Sequence, residues 1–234
     1  MPMRLTGPLK HAKQKPVKGV VVFVHGLGDS GEGISQIERY LRPFIEKSLR
    51  EHIAFAAPNA PFSVTNDPWD WLEIGHAWFR IDWDETNNVR TPHPEDWQQS
   101  GADLAAYLQE LATSQGVELD KVVLVGFSQG AMMSLYTIPH LPQGLAGVAA
   151  LAGRVLEPEA LQNSAHKPPV MLVHGTVDDV VPPHNSEQAY ALLKQAGFQV
   201  EHHPIAGSGH GDLFTEETLH LLAEFIAGIL TENK

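Results

Sequence analysis

The pentapeptide Gly126-Phe127-Ser128-Gln129-Gly130 follows the apolar run Val122-Val123-Leu124-Val125 and opens a helix-compatible stretch over 131–138. A serine placed between strand and helix, with glycine two residues to either side, sits on a sharp turn, and few folds accommodate one. Such a turn forces the serine backbone into a sparsely populated region, tolerated only where the surroundings over-determine it. The glycines follow from the same geometry. Helix and strand cross so closely there that a Cβ at either position would collide.

The rest of the chain supplies the layers this turn needs. Val20-Val21-Val22-Phe23-Val24 is the continuous β-branched run of a strand covered on both faces. Residues 53–57, 146–151, 170–173 and 198–202 read as further strands. Helices are predicted over 34–49 with a bend near Pro43, over 97–111, over 188–196 with Gly197 as a stop, and over 213–230. Residues 58–95 read as loop-rich and carry Pro, Asn, Asp and most of the tryptophan. Strands alternating with helices predict an α/β chain with a mostly parallel central sheet and helices on both faces. At 234 residues, with no repeat and no linker, a single domain over 1–234 is expected.

Charge and cysteine content remove several classes of function. The net charge of −12 argues against nucleic-acid partners and against docking on an anionic membrane. Arg4, Lys10, Lys13, Lys15 and Lys18 crowd the start of the chain, but the apolar segment of a signal peptide does not follow them. No apolar run approaches the roughly 18 residues of a membrane span. Cysteine is absent, so there is no disulfide frame, thiolate zinc site or cysteine nucleophile. Covalent chemistry would need serine, threonine or lysine. The absence fits a reducing cytoplasm, the expected location, and a homodimer is left open.

A serine hydroxyl needs a base within hydrogen-bond reach, and the base needs a carboxylate to fix its tautomer. In parallel sheets, reactive groups gather on loops at the carboxyl ends of strands. Downstream of Ser128, His174-Gly175-Thr176-Val177-Asp178-Asp179 leaves strand 170–173 and offers an acid. Gly207-Ser208-Gly209-His210-Gly211, between the last strand and the last helix, offers a base. The order Ser, Asp, His is that of α/β-hydrolases.

Together with His25-Gly26-Leu27-Gly28-Asp29-Ser30-Gly31, Pro58-Asn59-Ala60-Pro61 and Trp78-Phe79, these segments resemble the phospholipase/carboxylesterase family. That family includes acyl-protein thioesterases and small bacterial carboxylesterases. The resemblance implies an α/β-hydrolase fold with little or no lid domain, hydrolysing esters or thioesters without a cofactor. It implies Ser128 as nucleophile, Asp178 as acid, His210 as base, and the backbone amides of Leu27 and Gln129 as oxyanion donors. The chain departs from the family at Asp179, where a proline usually follows the acid, and around Trp69-Asp70-Trp71-Leu72-Glu73. The expected activity is a serine carboxylesterase on small-molecule esters of short to medium chain. The alternatives are an acyl-protein thioesterase or lysophospholipase and, in a different class, a non-catalytic binding protein on the same scaffold.

Other features have duller readings. Gly26-Leu27-Gly28-Asp29-Ser30-Gly31 also fits a dinucleotide-binding loop, but Ala56-Ala57-Pro58-Asn59 lacks the acid that would hold a ribose. His25 reads as a polar brace for the oxyanion loop. The 13 histidines form no helical H-E-x-x-H pair and His202 and His203 point to opposite faces, so no metal is expected. Asp212 reads as the cap of the last helix. The five tryptophans, Trp69, Trp71, Trp78, Trp83 and Trp97, are expected to include a hydrophobic wall over the site, with Trp78 as its best substrate-binding candidate. Asp67, Asp70, Glu73, Asp82, Asp84 and Glu85 nearby favour neutral over anionic esters.

Overall fold

The computed structural model describes residues 3–65, 73–84 and 89–232. In chain order the elements are β1 (Leu9–Lys10), β2 (Gly19–Val24), α1 (Gly31–Ser35), α2 (Ile37–Leu41), α3 (Lys47–Arg50), β3 (Ile53–Ala56), β4 (Phe62–Thr65), β5 (Glu73–Ala77), β6 (Ile81–Asp84) and β7 (Val89–Pro92). They continue with α4 (Pro94–Gln115), β8 (Val122–Phe127), α5 (Gln129–Thr137), β9 (Gly147–Leu151), α6 (Pro158–Gln162), β10 (Val170–Gly175), α7 (His184–Gln195), β11 (Val200–Ile205) and α8 (Glu216–Glu232).

Seven strands form one sheet in the order β1-β3-β2-β8-β9-β10-β11. Only β1, at the edge, runs antiparallel to its neighbour, so the expected mostly parallel sheet is what forms. Its inner strands β2, β3, β8, β9 and β10 are buried because both faces are covered, whereas the edge strands β1 and β11 carry exposed and polar residues. Val20, Val22 and Val24 pack on one side with Leu104 and Leu108 of α4, Met133 of α5 and Leu193 of α7. Val21 and Phe23 pack on the other side with Leu41, Ile45 and Leu49, and with Leu222, Ile226 and Leu230 of α8. This alternation within one strand is the period of two written into a pleated backbone. Each such side chain, fully withdrawn from water, contributes about 1.5–3 kcal/mol.

Three expectations need correction. Residues 34–49 are not one bent helix but α1, α2, a 3-10 turn at Arg42–Phe44 and α3. Ile34, Leu41, Ile45 and Leu49 all reach the core, so the spacing gave the buried face correctly. Pro43 removes an amide donor from the middle of the segment, and Ile45 turns extended, which ends the helix. Residues 58–95 are not simply loop, since β4 pairs with β5 and β6 with β7 as antiparallel ladders. The last strand is Val200–Ile205 rather than 198–202.

The chain leaves β2 toward β3 on one side and later returns to β8 on the other. The order therefore reverses between β2 and β8, where parallel sheets open a crevice at their carboxyl ends. Val24 pairs with Gly126, Phe127 with Leu151 and Gly175 with Ile205, so the loops after β2, β8, β9, β10 and β11 leave one edge together.

Candidate active site

Ser128 sits between β8 and α5 with φ 54° and ψ −118°, a conformation seldom adopted by a residue with a side chain. The turn is held on every side. Ser128 N donates to Leu151 O at 2.9 Å, and Met132 N donates to Ser128 O at 3.1 Å. A Cβ on Gly130 would overlap Val24 O, and one on Gly126 would overlap Gly130 O. The glycines are where strand and helix touch.

The hydroxyl aims at His210: Ser128 Oγ lies 2.9 Å from His210 Nε2, and His210 Nδ1 lies 2.7 Å from Asp178 Oδ2. A carboxylate only accepts, so the imidazole proton sits on Nδ1 and the Nε2 lone pair faces the serine. Asp178 is 4% exposed. Burial by itself raises its pKa, but hydrogen bonds from His210 and from the Val181 and Val180 amides more than offset this and hold it below the ordinary aspartate value. Its second oxygen, Oδ1, accepts those amides at 2.8 and 2.9 Å. Asp179 is exposed.

The loops that carry Asp178 and His210 are bound to each other. Val177 N donates to Ser208 O, Thr176 N to Ile205 O, and Gly207 N to Thr176 Oγ1. The Phe127 ring packs 5.0 Å from the His210 ring, centroid to centroid. Two further side chains support these loops. Buried His174 donates Nε2–H to Val181 O at 2.8 Å and lies 3.3 Å from Asp178 Oδ2, bracing the turn that carries Asp178. Asp212 does not cap α8. It accepts from Gly209 N at 2.6 Å, beside His210, while Thr215 Oγ1 caps the helix through Thr218 N.

Gln129 N is the first amide of α5 and has no acceptor within the helix. Leu27 lines the cavity just before two engaged amides: Gly28 N donates to His76 O, and Asp29 N to Gly26 O. His76 N returns a bond to Asp29 O, so the β4–β5 hairpin holds this loop. A Cβ on Gly75 would overlap Gly28 O, which shows how closely the two backbones approach. His25 braces the loop from beneath. Its Nε2 accepts from Ala60 N at 3.0 Å and its Nδ1–H donates to Gly26 O at 2.7 Å. Burial pushes its pKa down.

A cavity of about 500 Å³ opens above Ser128, His210, Leu27 and Gln129, walled mainly by apolar side chains that include Phe79, Ile81, Met132 and Val180. Trp78 does not line it, which corrects the expected substrate wall. Its side chain is fully buried, and its indole Nε1–H donates to His25 O at 3.0 Å. The next residue, Phe79, faces the cavity instead. The Gln129 side chain enforces this exchange, accepting from Trp78 N at 3.0 Å and donating to Phe79 O at 2.8 Å. Trp69, Trp71, Asp67, Asp70 and Glu85 lie outside the described residues. Among the described residues no group of three His, Asp or Glu could hold a metal ion, and no helix is long and apolar enough to cross a membrane.

A family model of phospholipases and carboxylesterases matches residues 9–230. Acyl-protein thioesterase 1 of Debaryomyces hansenii is 30% identical over 224 residues, covering 94% of each chain. Acyl-protein thioesterase 1 homolog 1 of Dictyostelium discoideum is 28% identical, covering 90% of each. Among solved structures, esterase PE8 superposes with a TM-score of 0.82 at 34% identity, over 97% of this chain and 100% of its own. The carboxylesterase of Bacillus cereus, at 18% identity and a TM-score of 0.73 over 96% of this chain and 94% of its own, shares the fold.

Proposed function

Because the chain belongs to the phospholipase/carboxylesterase family of α/β-hydrolases, we propose that it is a single-domain serine carboxylesterase acting on small esters of short to medium chain. The observation that carries this reading is the unbroken path from Ser128 Oγ through His210 to Asp178, opening into an apolar cavity.

Ser128 Oγ attacks the ester carbonyl while its proton passes to His210 Nε2. Asp178, ionised and tied to two backbone amides, holds the ring in place and supports its charge. The oxyanion settles between Leu27 N and Gln129 N, donors already oriented before substrate arrives. His210 then protonates the departing alcohol. Water repeats the sequence on the acyl-enzyme, delivering its proton to His210 and releasing Ser128. About 500 Å³ of cavity accommodates a small acyl group with its alcohol, which supports short to medium chains.

Acyl-protein thioesterase activity is the second reading, favoured by the names of the fungal and amoebal relatives. The p-nitrophenyl esters of acetate, butyrate, octanoate and palmitate separate the two. Butyrate to octanoate should be cleaved best. A maximum at palmitate would favour the thioesterase reading, and no turnover of any ester would defeat both.

A further inference from the structure

Arg154 lines the same cavity as Ser128 and His210 and is half-buried there. The backbone fixes its position. Ala152, at the end of β9, is held at φ 52°, a strained conformation for a residue with a Cβ, with its amide bonded to Val173 O at 2.9 Å. At Gly153 a Cβ would come within 2.6 Å of Ala131 Cβ on α5, the helix that begins after Ser128. The chain is thus pressed against the nucleophile's own helix one residue before the arginine.

Every other polar or charged side chain on the wall already has a partner within the protein. Ser128 and His210 hold each other. Gln129 is spent on Trp78 N and Phe79 O. Asn185 donates to Pro182 O at 2.9 Å, and Asp29 accepts from Ser30 N at 2.7 Å. Arg154 alone among them has neither a hydrogen bond nor an ion pair with any described residue. A guanidinium keeps its charge at all working pH values, and its planar fork matches a carboxylate. Withdrawing it from water beside apolar walls without a counter-ion is unfavourable, and an anionic ligand offsets that cost.

We propose that Arg154 forms an anion-binding subsite, and that the preferred substrates are esters carrying a carboxylate. The proposal rests on the esterase reading above and changes the charge expected of its substrate. Asp29, the acidic side chain on the same wall, is tied to Ser30 N, and the repulsion of exposed Asp82 is screened by solvent, whereas Arg154 acts at contact.

The test compares wild type, Arg154→Met and Arg154→Lys on matched pairs. p-Nitrophenyl hemiglutarate against p-nitrophenyl valerate places the charge on the acyl side. 4-Acetoxybenzoate against phenyl acetate places it on the leaving group. For one anionic ester, Arg154→Met should lower kcat/KM by about tenfold or more, chiefly through KM, with Arg154→Lys restoring part of the loss. The neutral partner should change by less than about twofold, which also reports that the variant is folded. The pair that responds locates Arg154 relative to the scissile bond. Equal effects on charged and neutral esters, or none on either, overturn the subsite while leaving the esterase intact. A wild type that cleaves none of the four removes both readings.

Discussion

Asp178 meets His210 Nδ1 at 2.7 Å from a fully enclosed carboxylate, whereas the adjacent Asp179 is exposed. Asp178 also accepts two amides of its own turn, so its orientation does not depend on the histidine.

Asp178→Asn should therefore lower kcat by about 10⁴, because the amide no longer selects the productive tautomer. Asp179→Asn, at an exposed position, should leave kcat within about twofold. Steady-state kinetics on one chromogenic ester measures both. Equal losses would show that the two carboxylates share the task.

Gly130→Ala puts a Cβ into Val24 O, where two backbones meet and neither can yield. It should destabilise the fold by about 3 kcal/mol or more and disturb the elbow with it. Gly228→Ala, in α8 with nothing within 4 Å of the added atom, should instead stabilise by about 0.5–1 kcal/mol. Urea unfolding of the two variants gives opposite signs if the packing is as described.

His25 carries a pH signature. Burial, the largest influence, lowers its folded pKa below 6.5, and the Ala60 amide pointing at Nε2 opposes a proton there. Below 6.5 the unfolded chain takes up a proton that the folded chain resists. This contribution to stability is present above 6.5 and is lost as the pH falls toward the folded value. Between about pH 8 and pH 5, wild type should lose more stability than His25→Gln. Parallel urea curves for the two proteins would show that His25 is not held neutral.

Much of this was legible because strands and the loops that follow them are local patterns. Val20 to Val24 is a β-branched run of the kind found in strands buried on two faces, and Ser128, Asp178 and His210 each follow a strand in the expected chain order. What failed depended on contacts between distant segments. The clustering of tryptophans could not reveal that the Gln129 side chain turns Trp78 inward and Phe79 outward. Asp212 has the composition of a cap, but Gly209 N takes its oxygen first. The two hairpins within 58–95 draw their stability from pairing across the turn, which apolar spacing does not record. Arg154 belongs to no motif, and only its place in the cavity wall singles it out.

Ser128→Ala should reduce kcat by about 10⁵–10⁶, but a chemical label reads the nucleophile itself. Treating the protein with a fluorophosphonate and mapping the adduct by peptide mass spectrometry should find Ser128 modified to one equivalent, with labelling strongly slowed in His210→Ala. An adduct on another residue, or a His210→Ala protein that labels at the wild-type rate, would contradict the proposed relay.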